Sequence, residues 1–102
     1  MAERQVFVLL VEVGRKAGDG LPDGATGAAL VCLAAARDEA EAVRETVAVL
    51  KQADLAPLDV TGYGTPDEAR AQGMDLEGAE DLIARAAAEN AVLVIDTTVF
   101  RD

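Results

Sequence analysis

Residues Val6 to Val13 read Val-Phe-Val-Leu-Leu-Val-Glu-Val, apolar at every position except Glu12. Side chains alternate between the two faces of a strand, so a segment apolar at both sets of positions needs cover on both sides. The octet predicts a buried strand ending at Gly14 and obliges the rest of the chain to supply that cover.

The following stretch, Gly14 to Gly27, holds five glycines, one proline and two aspartates and reads as a long loop. Ala28 to Ala36 has helical propensity, but its place between a Gly-rich loop and a helix start favours a strand. Asp38 with Glu41 forms a capping box, and Ala40, Val43, Val47 and Leu50 recur along one face, predicting a helix from Asp38 to Ala53. Leu55 to Tyr63 alternates as a half-buried strand that Pro57 confines to a sheet edge. Thr65-Pro66-Asp67-Glu68 predicts a short helical turn interrupted at Gly73. Asp75 to Glu89 carries Leu76, Ala79, Ile83 and Ala86 on one stripe, with Asn90 as a left-handed C-cap. Ala91 to Phe100 is apolar on both sides and reads as a central strand.

The expectation is one α+β domain over residues 1–102, of ββαβαβ order: a two-layer sandwich with a mixed four-stranded sheet and two helices. In size and in its two strand–helix–strand units the pattern is similar to ferredoxin-like domains and dimeric α/β barrels. It departs from them where the loop Gly14–Gly27 replaces the first crossover helix. The resemblance implies general architecture and no site residue. If both helices cover one face, the other apolar face needs a partner, which predicts a face-to-face homodimer.

Nineteen acids against nine bases give a net charge of −10, which argues against nucleic acid and anionic membrane surfaces as partners. No window approaches the roughly 18 apolar residues of a membrane span, and the start of the chain lacks the pattern of a signal peptide. The single cysteine fits a reducing compartment. A cytoplasmic location is expected, and the Ala-rich, Ser-free usage suggests a bacterial source.

The chain has no histidine and no serine, which removes Ser-His and Cys-His triads and Cys/His zinc sites. No metal and no cofactor is expected. Cys32 reads as core. Asp96 interrupts an apolar strand, where a carboxylate must be paired, hydrogen-bonded, marginal or functional, and it is the candidate general base. Arg15 and Lys16, in a Gly-rich loop, are candidates for holding an anion. Gly62, Tyr63, Gly64 and Thr65 form a turn into a helix start, a second candidate ligand site. The leading expectation is a non-catalytic module binding a small ligand or protein partner as a homodimer. The alternatives are a dimeric-barrel enzyme using Asp96, or an acidic immunity- or inhibitor-type protein with a basic protein partner.

Overall fold

β1 (Gln5–Val13) and β2 (Ala25–Ala36) form an antiparallel hairpin that stays in register from Gln5 opposite Ala36 to Val13 opposite Ala28. In the computed structural model, which describes residues 4–101, this pair is the centre of a four-stranded sheet. β3 (Pro57–Gly62) adds beside β1 and β4 (Val92–Arg101) beside β2, giving the order β3-β1-β2-β4 with every pairing antiparallel. α1 (Glu39–Gln52) joins β2 to β3, and α2 (Pro66–Ala71) and α3 (Glu80–Glu89) join β3 to β4. The chain is therefore α+β, of order ββαβααβ.

The two-sided pattern of β1 is met within the chain. Phe7, Leu9, Val11 and Val13 point into one core with Leu30, Cys32 and Ala34 of β2, closed by Ala42 and Leu50 of α1. Val6 and Val8 point into a second core with Leu33, closed by Ala69 of α2 and Leu76, Ala79 and Ala86 at and before α3. Val8, Leu9 and Leu33 are wholly buried. α1 thus lies on one face and α2 with α3 on the other, in three layers and not the two expected.

Three further expectations are corrected. The sheet is antiparallel and not mixed, because two helical segments intervene before β4. A single helix would return the chain to the end where β3 began; after two it re-enters the sheet where β3 finished. Gly62 closes β3 opposite Leu9, and Val92 opens β4 beside Ala34, the partner of Phe7. Among the described residues there are three helices, because the turn at Thr65 forms a capped helix of its own and the segment from Asp75 to Ala79 is not part of α3. β4 is an edge strand. Its two-sided apolar run stops at Ile95, where Val92 meets the α1 core and Leu93 and Ile95 the α3 core. A register shift between Val31 and Cys32 leaves Ile95 as the extra residue of a β-bulge.

Asp38 caps α1 by accepting the Glu41 N–H at 2.8 Å, as its spacing predicts. Of the expected stripe of α1, Leu50 is buried, Val43 packs against the core and Val47 is half-buried, but Ala40 is exposed, and Glu41, Ala42 and Thr46 are buried beside them. Glu41 can be buried because its carboxylate is fully engaged. It accepts from Arg37 Nη2 at 2.8 Å, Arg37 Nε at 3.0 Å, the Arg37 backbone N–H at 3.2 Å and Arg4 Nη1 at 3.1 Å. These hydrogen bonds, the Arg37 side chain first, hold the Glu41 carboxyl below its ordinary value.

If both faces are cores, Leu9→Ala and Leu33→Ala should each cost about 2–5 kcal/mol in denaturant unfolding; a near-neutral Leu33→Ala would argue against the second core. The depressed pKa of Glu41 means its contribution is present above the unfolded value and lost as pH falls through the folded one. Glu41→Gln should therefore lower the thermal midpoint at neutral pH and flatten its decline below pH 4.5. Parallel acid limbs in a pH series of melting curves would contradict this.

Candidate functional site

The turn Gly62–Thr65 continues the β1–β3 ladder: the Tyr63 N–H donates to Val8 O at 2.9 Å and the Val8 N–H to Gly64 O at 2.8 Å. Gly64 has φ +77, a conformation glycine adopts without cost. Its N–H donates to Glu39 Oε2 at 3.0 Å, and a Cβ on Gly62 would collide with that same carboxylate. The Thr65 N–H donates to Glu68 Oε1 at 3.0 Å, completing a capping box. That N–H, followed by the Thr65 hydroxyl, lowers the Glu68 pKa. The donors that could receive an anion at this turn are thus engaged by Glu39 and Glu68, while Tyr63 packs half-buried against the second core.

The loop of Arg15 and Lys16 has the same logic. Asp19 accepts the Lys16 N–H at 2.9 Å, the Leu21 N–H at 2.9 Å and Arg15 Nε at 3.0 Å, and the two backbone donors lead in lowering its pKa. Arg15 also donates through Nη1 to Pro22 O at 3.1 Å and Ala25 O at 2.6 Å. The glycine-rich loop is folded around an internal carboxylate.

Asp96 is exposed, and its Oδ1 accepts the N–H of Thr97 at 3.0 Å. It lies opposite Val31, six residues along β2 from Ala25, so roughly 20 Å of strand separates it from the Arg15 guanidinium. The structure does not bring the candidate base and the candidate cations together. Cys32 is fully buried, and burial pushes its thiol up to about 11, as its place in the core requires. Among the described residues no group of three or more Cys, Asp or Glu side chains is placed to hold a metal ion. Among them, too, no helix is long and apolar enough to cross a membrane.

A different surface emerges from the strand register. The helices on the second face cover only the half of the sheet around Val6, Val8 and Leu33. Beyond it one cross-sheet row runs Thr61, Leu10, Val31, Asp96, and the next Asp59, Glu12, Ala29, Thr98. Phe100, opposite Gly27, closes the area and is 40% exposed. Leu10, Ala29 and Val31 are half-buried, while the polar members of both rows are exposed. Where the chain enters α3 beside this area, a cleft of about 220 Å³ opens between Val31, Leu76, Leu82, Ile95 and Asp96, with Asp75 and Glu77 on its rim. Of this surface the sequence singles out Asp96 and, on the same reasoning about a carboxylate in an apolar strand, Glu12. The signal for the surface was Glu12, the one polar residue of the opening octet.

Removing the acceptor at the centre of the hairpin loop tests that loop's organisation. Asp19→Ala should accelerate proteolytic cleavage between residues 14 and 24 while leaving the global melting midpoint within a few degrees, because Leu21 is the one loop residue packed against a core. Unchanged cleavage kinetics would mean Asp19 does not order the loop.

No curated protein and no solved structure matches this chain. One family matches residues 6–101, nearly the whole length and including both cores and the open half-face. The chain belongs to the family described as Domain of unknown function (DUF8846).

Proposed function

We propose that the chain is a cytoplasmic, non-catalytic binding module that engages a protein partner through the open half of its second sheet face. The observation that carries this reading is the abrupt end of the helical cover. Val31 is the last residue the second core reaches, and Leu10, Ala29 and Phe100 continue the sheet face beyond it, next to a cleft lined by apolar side chains and by Asp75, Glu77 and Asp96. Contiguous apolar surface of this kind on an otherwise covered fold marks interaction sites. The enzyme reading is weaker, because Asp96 and Arg15 lie far apart. The likeness to ferredoxin-like domains rests on the β2–α1–β3 unit alone.

A homodimer is the second reading, favoured by the outer edge of β4, which is unpaired within the chain and exposes Val94. It no longer rests on a wholly bare face, since helices lie on both.

Replacing Phe100 with the photo-crosslinking analogue p-benzoylphenylalanine tests the reading in the native cell. A discrete light-dependent adduct heavier than the 10.6 kDa chain is expected, and the same group at the exposed Ala88 of α3 should give none. No adduct at Phe100, or the same adducts from both positions, would overturn the reading.

A further inference from the structure

We infer that the occupant of the open half-face is a basic amphipathic helix of a protein partner; this rests on the binding-module reading above. The dimensions of the area set the shape. From the row of Val31 to that of Gly27 is four residues of strand, about 13 Å, close to the roughly 10–12 Å diameter of one α-helix. Across the four strands it measures about 15 Å, the length of about ten helical residues. One short helix laid beside α3 would complete the layer that α3 leaves unfinished.

The charge of the area sets the chemistry. Glu12 and Asp59 are direct cross-strand partners on the open face, a like-charge juxtaposition that costs stability in the free protein. Asp96 stands at the opposite edge of the same face, and Asp75 and Glu77 rim the adjoining cleft. No lysine or arginine occupies any position of the two rows. The surface is apolar at Leu10 and along β2, with carboxylates on its β3–β1 side at Asp59 and Glu12 and on its β4 edge at Asp96, so it complements a helix with a Leu/Val-type stripe flanked by Lys and Arg. Such a helix relieves the Glu12–Asp59 repulsion on docking. A second copy placed face to face would instead set Glu12, Asp59 and Asp96 against themselves, within a chain of net charge −10.

The experiment repeats the Phe100 crosslink in three backgrounds of the full chain: unaltered, E12Q/D59N/D96N, and E45Q/D54N/D81N as a control of equal charge change on other surfaces. The adduct is expected to fall about tenfold in the first triple variant, as three exposed charge pairs lost together imply, and to stay unchanged in the control. The crosslinked peptide, read by mass spectrometry, should carry Lys or Arg flanking apolar residues at i, i+3 and i+4 spacing. An adduct that persists in E12Q/D59N/D96N, or whose partner peptide is acidic, overturns the basic helix while leaving the binding-module reading standing. An adduct of twice the chain mass overturns it in favour of a second copy. No adduct from Phe100 in the unaltered background overturns both.

Discussion

Everything in this fold follows from a central hairpin that is apolar on both sides. β1 and β2 precede every helix in chain order and pair with each other, and each offers one set of side chains to either face. A single helical layer would leave half of those side chains in water, at about 25 cal/mol for each Å² of apolar surface. The chain meets this by sending its first crossover helix over one face and its second connection over the other. The edge strands follow from the same choice, since β3 and β4 can only add outside a pair that already holds the centre.

The acidity of the chain acts first on its own backbone. Asp19, Asp38, Glu39, Glu41 and Glu68 each accept at least one N–H from the main chain, at a loop, a helix start or the turn that leads into one. A carboxylate bonded to main-chain donors is a strong local brace, because a charged acceptor roughly doubles the strength of a neutral hydrogen bond. The two segments that read as anion cradles are cradles in this sense, with the anion covalently part of the chain. Glu12 and Asp59 stand side by side on the open sheet face instead, where both are exposed.

Most of the local structure was legible in the sequence, because it rests on short-range signals: the Asp38 cap, Pro66 at a helix start, the left-handed Asn90, the edge position of β3. What was not legible depends on which face each helix takes. The periodicity finds Val43, Val47 and Leu50 on the inner side of α1 but extends the stripe to Ala40, whereas the buried face centres on Ala42 and Thr46, with Glu41 tied to Arg37 and Arg4. The run Val92–Ile95 looks central because it is apolar on both sides. An edge strand clamped between helices of opposite faces produces the same pattern over a few residues, and Thr97 and Thr98 were the sign that the clamp ends. The open half-face could not be seen until the register placed Leu10, Val31 and Asp96 in one row.

The bulge at Ile95 has a consequence for what the outer edge of β4 can pair with. A flat ten-residue edge rich in Val, Ile and Thr is the kind of template on which chains stack into fibrils. By placing an extra residue in mid-strand and a carboxylate next to it, β4 breaks the template into two short stretches whose register does not match. An incoming strand can follow either stretch but not both, which disfavours pairing along the whole edge and confines any contact between two β4 strands to one short stretch.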